Sequence, residues 1–297
     1  MTVLPESLGD LLKLFRRAWR RPTFRVAISL ALALTVLGLL GPYVAPYPLQ
    51  GLGVEVVPEK SLLPPSPKHL LGTDAMGRDI LSRVLFGLWR AIVVTLLVIT
   101  LSTVLGLLIG SVAAILPKPL ETVLVYIMEL LISIPSVLLA AALVAAVGGG
   151  LVPLTVALVV TWWPWYGRVA YTQARALREL DFVNLPRLFG LSRLYVVRKH
   201  VVPHIVPPVL VEALSDLGSV VIEMSTITFI FGAAQSISEP DLGVMVGLGL
   251  RYLTTHPWVV LSPALFLALL AVSFTVFGEV LYEEANPVLR KRWFRWF

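Results

Sequence analysis

Residues 88–116 read LWRAIVVTLLVITLSTVLGLLIGSVAAIL, and Arg90 is the only charged residue in this run. About 20 predominantly apolar residues are enough for a helix to cross the hydrocarbon core of a bilayer. Lipid offers the backbone no hydrogen-bond partners, so the chain must satisfy its own N–H and C=O groups, as a helix does. Residues 88–116 therefore predict a transmembrane helix.

Five further stretches have the same character, which predicts an all-α integral membrane protein with six transmembrane helices. Composition agrees, because 57% of the 297 residues are hydrophobic and 14% are charged, against about 25% charged in soluble domains. The first apolar stretch, 26–46, is interpreted as an uncleaved anchor rather than a signal peptide, since the sequence at its C-terminal end, GPYVAPYP, has no small-residue cleavage pattern. The predicted spans are 26–46, 88–116, 120–147, 151–172, 208–232 and 258–283.

The positive charges predict the orientation of these spans. Lys and Arg number 24, and most of them fall in four segments, the N-terminal arm 1–25, the loop at 116–120, the segment 168–207 and the tail 284–297. Basic residues concentrate on the cytoplasmic side of a membrane. We therefore expect both termini and 168–207 in the cytoplasm, loop 47–87 outside the cell, and a five-helix core over 88–283.

Motifs of catalysis are missing from the sequence. It contains no G-x-x-x-x-G-K-[ST] for nucleotide phosphates, no G-x-S-x-G nucleophile, no H-E-x-x-H zinc motif and no cysteine. The net charge of +6 lies mainly beside apolar spans, where it determines topology rather than nucleic-acid binding. We therefore predict no catalytic residue, no metal site, no cofactor in this chain and no nucleic-acid partner.

The fifth predicted span carries a polar stripe. Its side chains recur at i, i+4, i+7 and i+11, so they share one helical face. An ionisable residue at mid-bilayer costs about 3 kcal/mol unless it faces protein or water. The stripe predicts one wall of a translocation path. Alternatively, Glu212 and Asp216 are solvated near the cytoplasmic headgroups and Glu223 is satisfied by a neighbouring helix. Its members are Glu212, Asp216, Ser219 and Glu223.

An aromatic cluster, TWWPWYGR at 161–168, closes the fourth predicted span. Trp and Tyr are enriched where a membrane meets water. The cluster is therefore interpreted as an interfacial aromatic belt.

The stretch DFVNLPRLFGLSRL at 181–194 is polar and broken by proline. Asn184 is predicted to cap a helix from Leu185 to Phe189. Pro186 is then tolerated because it lies in the first turn, and Gly190 ends the helix.

A second helix is predicted over 193–202, capped by Ser192 and stopped by Pro203. A short apolar and basic helix between two spans is suited to docking into a protein groove. The alternative is a helix that rests on lipid headgroups.

The spacing of Gly190 and Pro203 resembles the EAA loop of ABC-importer permeases, in which Glu-Ala-Ala is followed by a glycine and then by Leu-Pro. Asn-Leu-Pro replaces Glu-Ala-Ala here, and Val202 precedes Pro203. The resemblance implies that this loop docks into an ATPase, with Leu188 and Phe189 as the apolar side chains that enter its groove. The implied coupling residues are Asn184, Leu185, Pro186, Arg187, Leu188, Phe189, Gly190 and Pro203.

The stretch HLLGTDAMGRDILSRVLFGLWRAIVVTLL at 69–97 is similar to the one that precedes the second span in permeases of the dipeptide/oligopeptide importer family. The basic arm with one span ending in APYP is similar to the C-type subunit of these importers. MELLISIPSVLLA (128–140), VIEMSTITFIFG (221–232) and ANPVLRKR (285–292) also match. The pattern in 69–97 consists of Gly72, Thr73, Asp74, Gly77, Arg78 and Asp79.

By its residues alone, this Gly72–Asp79 motif is interpreted as a structural hinge at the outer mouth. Gly72 and Gly77 permit tight turns, and Asp74 is predicted to cap the helix that follows. Arg78 is predicted to pair with Asp74 or Asp79.

The resemblance implies a type I ABC-importer permease fold in a prokaryotic plasma membrane and a role in peptide import. It implies a heterodimer with a second permease, one or two cytoplasmic ABC ATPases that bind ATP and Mg, and an extracytoplasmic solute-binding protein. Oligosaccharides or nickel are alternative solutes. An ion-coupled secondary transporter is the alternative class, although we find no convincing inverted repeat between 26–147 and 151–283.

Overall fold

The computed structural model describes residues 8–148, 150–178, 180–235 and 239–286. Within these residues the regular structure is helical, with one isolated bridge between Thr73 and Asp79. Short 3-10 turns at Pro58–Lys60 and Leu250–Tyr252 and a π-helical segment at Val197–Val201 join the α-helices. The α-helices are α1 Leu8–Ala18, α2 Pro22–Val44, α3 Pro48–Leu52, α4 Ile80–Ala113, α5 Lys118–Ser133, α6 Ser136–Val147, α7 Leu151–Arg178, α8 Asp181–Leu188, α9 Arg193–Val196, α10 Val202–Ser215, α11 Leu217–Gln235, α12 Leu242–Gly249 and α13 Trp258–Ala285.

Three helices, α2, α4 and α13, are long and apolar enough to cross a membrane. Two bent pairs also qualify when each is counted as one span: α5 with α6, and the π segment and α10 with α11. The all-helical membrane class is thus confirmed, with three to five candidate spans in the described residues. The remaining predicted span, 151–172, lies within α7, whose aromatic and basic second half makes it less apolar than the others.

Helix α4 begins at Ile80, eight residues before the predicted span 88–116. The difference arises because Asp79 caps the helix, as described below. The predicted arm 1–25 also contains the amphipathic helix α1 and the start of α2, where Pro22 lies in the first turn, at a position whose backbone N–H would have no partner within the helix.

The predicted span 120–147 is two helices that meet at 90°. Ile134 and Pro135 both have extended backbone, with ψ values of 129° and 121°. A residue before proline is disfavoured from the helical region by the proline ring, so α5 ends at Ser133 and α6 starts afresh at Ser136. The bend turns α6 towards α7 and α11.

Helix α4 is the centre of the bundle and packs against α2, α7, α10, α11 and α13. Its contact with α7 is close because glycines face each other: a Cβ on Gly106 would lie 2.6 Å from the backbone N of Gly167. Small residues allow helix backbones to approach in this way. The contact buries Tyr166 completely and so fixes the orientation of α7 about its own axis.

The start of α2 and the end of α13 lie together. Arg21 pairs with Glu283 at 2.5 Å and with Glu284 at 2.7 Å, and the rings of Phe24 and Phe277 stack at 5.5 Å. The start of α2 and the end of α13 therefore lie at the same end of the bundle. Residues 287–297, in the predicted cytoplasmic tail, lie outside the described residues.

Candidate functional site

The first helix of the coupling segment, α8, runs over Asp181–Leu188 and so begins earlier than predicted. Asp181 lies in its first turn, where a carboxylate is stabilised by the helix dipole. The prediction that Asn184 caps the helix is therefore wrong, and Pro186 lies in the helix interior rather than its first turn. The prediction for Gly190 is confirmed: its φ is +81°, and the N–H of Leu191 turns back to the Pro186 carbonyl at 3.1 Å.

The second helix of the segment is capped as predicted, since Ser192 Oγ accepts the Tyr195 N–H at 3.3 Å. The prediction that Pro203 stops this helix is wrong. A π-helical turn over Val197–Val201 intervenes, in which the Val202 N–H reaches back to the Val197 carbonyl. The wider turn places Pro203 in the first turn of α10, where its missing N–H is not needed, and the chain continues as a helix.

Two apolar side chains at the C-terminal end of α8 are exposed. Leu185 is 50% exposed and Phe189, one residue beyond the helix, is 83% exposed, while Val183 is buried and anchors the helix. The ring of Phe182 lies 5.1 Å from that of His204, which links α8 to α10. The side chains of Asn184, Arg187 and Leu188 lie outside the described ones.

The carboxylates of the predicted stripe are held by aromatic donors of α7. Trp162 donates to Glu223 at 3.0 Å, Trp165 to Glu212 at 3.2 Å and Tyr166 to Asp216 at 3.0 Å. The interpretation of the aromatic cluster as an interfacial belt is wrong for Tyr166, which is fully buried. Sequence reasoning missed these three pairs because each joins positions about 50 residues or more apart.

The stripe does not lie on one uninterrupted helix. The chain bends by 46° between α10 and α11, and Asp216 is the residue between them. Glu212 and Asp216 are half-buried, Ser219 is exposed and Glu223 is buried. The bend therefore places Asp216 at a corner, where its carboxylate faces α7.

An ion pair joins α7 to α5. Arg168 of α7 and Glu129 of α5 are 3.1 Å apart, with side chains 40% and 52% exposed. Both belong to predicted spans, where an exposed charge must face water or another protein. Helix α7 therefore makes polar contacts with both α5 and α10, and we call the surface that carries Glu129, Arg168, Glu212 and Asp216 the polar face. The sequence analysis did not pair these two residues, which lie 39 positions apart in two neighbouring predicted spans.

The Gly72–Asp79 motif folds into a tight hairpin. Gly72 and Gly77 have φ values of +77° and +74°, which confirms the predicted turns. Asp74 does not cap α4 but closes the hairpin, accepting the backbone N–H of Met76 at 2.8 Å and of Arg78 at 3.0 Å. Arg78 pairs with Asp74 at 2.8 Å, which confirms one of its two predicted partners. Thr73 Oγ1 accepts the Leu63 N–H at 2.8 Å and holds the preceding loop.

Asp79 is the helix cap, and its carboxylate is buried. It accepts the Ser82 N–H at 2.8 Å and the Ser82 hydroxyl at 2.7 Å, and its other oxygen lies 2.9 Å from His69 Nδ1. Gln50 of α3 accepts the Asp79 N–H at 3.0 Å. The cap therefore joins α3, the hairpin and α4 into one unit.

Helix α4, which follows the motif, also contacts α12, a helix that the sequence analysis did not predict, and the residues before it. Arg83 Nη2 donates to the Glu239 carbonyl at 3.2 Å, and Arg90 pairs with the Glu239 carboxylate and with Asp241. Asp241 caps α12 by accepting the Val244 N–H at 3.1 Å. A cavity of about 260 Å³ separates the motif from α12 and is lined by Asp74, Arg78, Arg83, Met245, Arg251 and Tyr252 among others.

Helices long and apolar enough to cross a membrane, carboxylates held by aromatic donors of a neighbouring helix, and exposed apolar side chains at the end of α8 are the features of a helical membrane protein. Residues 106–287 match the family described as binding-protein-dependent transport system inner membrane component. The chain belongs to this family. It is therefore a multi-pass protein of the plasma membrane.

The chain is 34% identical to the probable D,D-dipeptide transport system permease protein DdpC of Escherichia coli K12, over 76% of each chain. It is 30% identical to a putative peptide transport system permease protein of Brucella suis, over 93% of this chain and 91% of the relative. These relatives confirm the resemblance to peptide ABC-importer permeases. A solved chain of the MetNI methionine ABC transporter is 22% identical and aligns with a TM-score of 0.46, over 68% of this chain and 96% of that one.

Proposed function

We propose that this chain is the C-type permease subunit of an ATP-driven importer of dipeptides and oligopeptides. It would form half of the translocation path and dock onto an ATPase that hydrolyses ATP with Mg. Family membership carries the transport role, and the peptide permeases among its relatives support the solute class. The exposed apolar side chains Leu185 and Phe189 support docking, because a soluble partner would bury them.

The proposed topology has six spans, with α7 as the fourth, in a type I importer fold. Both termini and the coupling segment then lie in the cytoplasm. The contact between Arg21 and the end of α13 supports termini on one side. The Gly72–Asp79 hairpin then lies outside the cell, as a structural hinge at the outer mouth, on the side where a solute-binding protein would dock.

Coupling would run from α8 into the spans. The pair of Phe182 and His204 joins α8 to α10, and α10 leads to the bend at Asp216. Closure of the ATPases would displace α8 and, through α10, change the angle at that bend. A second permease would cover the polar face of α5, α7 and α10 and complete the path.

The path would favour the ammonium group of a peptide, because Glu212, Asp216 and Glu223 lie along it. Asp216→Asn keeps the size of the side chain and an oxygen for the Tyr166 hydroxyl but removes the charge. We expect uptake of a free peptide to fall about tenfold, equivalent to about 1.4 kcal/mol, measured in proteoliposomes with a saturating binding protein.

Two controls separate charge from structure at this position. Tyr166→Phe removes the hydrogen bond and leaves the charge, so uptake should change little. An N-acetylated peptide lacks the ammonium, so its uptake by the Asp216→Asn variant should match that of the unchanged protein. Equal loss for free and acetylated peptides would contradict the proposed role of the charge.

Affinity purification of the tagged chain in mild detergent tests the proposed function as a whole. We expect a second permease and one or two P-loop ATPases to co-purify and to hydrolyse ATP. Adding the cognate binding protein loaded with a dipeptide, an oligosaccharide or nickel should then stimulate hydrolysis only with the dipeptide. A folded chain that purifies alone and transports with an ion gradient would instead be a secondary transporter.

A further inference from the structure

A polar cluster around the buried side chain of Glu121 joins the end of α7 to the corner between α4 and α5. Glu121 lies in the first turn of α5 with its side chain 8% exposed. The Tyr171 hydroxyl donates to it at 2.7 Å. Arg175 and Arg178 approach the same carboxylate at 3.7 and 3.8 Å. Tyr171, Arg175 and Arg178 are spaced i, i+4 and i+7, so one face of α7 makes all three contacts.

The cluster reaches a third helix as well. Arg178 Nη1 donates to the carbonyl of Ala114 at 3.2 Å, and Ala114 caps the C-terminus of α4. Arg175 also donates to the Tyr171 hydroxyl at 2.8 Å. Three helix ends are thus held by one set of contacts, with the carboxylate at a helix N-terminus and the arginines at a helix C-terminus, where each charge is stabilised by the helix dipole.

The position of the cluster in the chain gives it a mechanical consequence. Arg178 precedes Asp181, the first residue of α8, by three positions. Glu121 is on α5, which ends at the 90° bend before α6 and carries Glu129 on the polar face. A displacement of α8 transmitted to the end of α7 would therefore also move α5.

We propose that Glu121, Tyr171, Arg175 and Arg178 form a brace that makes α5 move with α7 when the ATPases displace the coupling segment. These are positioning residues, and their role rests on the proposed function. The brace adds a second route, through α5 to the bend at Pro135, to the route through α10. Both sides of the polar face then move together.

The brace is tested in the purified importer complex in proteoliposomes with Glu121→Gln and Tyr171→Phe. Coupling free energies typically correspond to about 5- to 150-fold. We expect each variant to lower peptide uptake per ATP hydrolysed about fivefold or more while the partners still co-purify. Thr122→Ala is the matched control, since Thr122 is exposed on the same turn and bonds only within its helix in the described contacts.

A distance measurement separates coupling from simple stability. The chain has no cysteine, so spin labels can be placed at Tyr126→Cys on α5 and Thr172→Cys on α7, two exposed positions. We expect one narrow distance distribution that ATP does not change, and a broader one that ATP shifts when Tyr171→Phe is added.

Unchanged uptake per ATP and an unchanged distance in both variants would overturn the brace, while the proposed function would stand. If the Glu121→Gln variant fails to assemble with its partners, the Tyr171→Phe variant alone tests the brace, because it removes one hydroxyl and keeps the ring. An unmodified complex without ATP-driven uptake would contradict the proposed function itself, and the coupling role of the brace with it.

Discussion

The double variant Leu188→Ala/Phe189→Ala is expected to lose ATPase binding by a factor of about 100 or more, since anchor residues of protein interfaces contribute about 2–4 kcal/mol when truncated. Phe189 is 83% exposed, so its removal creates no cavity in the chain itself. For Phe189 the loss should therefore appear in the complex and not in the stability of the isolated permease. Titration of detergent-solubilised permease with purified ATPase measures the affinity directly.

Leu70→Ala is a suitable control, because Leu70 is also exposed but lies in loop 47–87, at the proposed outer side. It should leave ATPase affinity unchanged. ATPase binding and stimulation that survive intact in the double variant would show that α8 is not the docking element. An interfacial helix, the alternative for this segment, would lose lipid contact instead and leave the complex assembled.

The second large effect is expected at Asp79. Asp79→Ala removes a helix cap worth about 1 kcal/mol and hydrogen bonds to a buried charge, each worth about 1.5–3 kcal/mol. It also leaves the Ser82 N–H without its side-chain acceptor. We expect a marked decrease in the temperature at which the solubilised protein loses its monodisperse peak, measured by size-exclusion chromatography after heating.

The unfolding temperature of Asp79→Asn should lie between those of Asp79→Ala and the unmodified chain. The amide oxygen can still accept from Ser82, while the charge beside His69 is lost. Glu59→Ala should have no effect, since Glu59 is exposed in the same loop. If Asp79→Ala unfolds at the same temperature as the unmodified chain, the cap does not hold α3, the hairpin and α4 together.

Several local features followed from the residues alone. Gly72 and Gly77 adopt positive φ, Gly190 ends α8 and Ser192 caps α9, because each depends on the backbone preference or side-chain reach of one residue. Helix ends were predicted less well. Asp74 and Asp79 both precede α4, and either could cap it. Asp79 is the cap because the Asp74 carboxylate already accepts hydrogen bonds within the hairpin.

Whether a proline ends a helix could not be predicted without the conformation of the turns around it. Pro203 was expected to stop a helix, but the π-helical turn before it shifts the hydrogen-bond register so that the helix continues. Pro135 lay in a predicted continuous span, yet it separates two helices at 90°. Proline thus separates two helices at one position and lies within a continuing helix at another. The backbone before it differs, since it is extended before Pro135 and π-helical before Pro203.

The sequence by itself determined the membrane class, the positions of the apolar runs and the family resemblance, because hydrophobic length and local motifs are properties of contiguous residues. Only the tertiary structure decided which charged and aromatic side chains meet. Tyr166 with Asp216, Arg168 with Glu129 and Tyr171 with Glu121 are each separated by tens of residues. Their partners follow from the close packing of α7 between α4, α5 and α10, which no local pattern encodes.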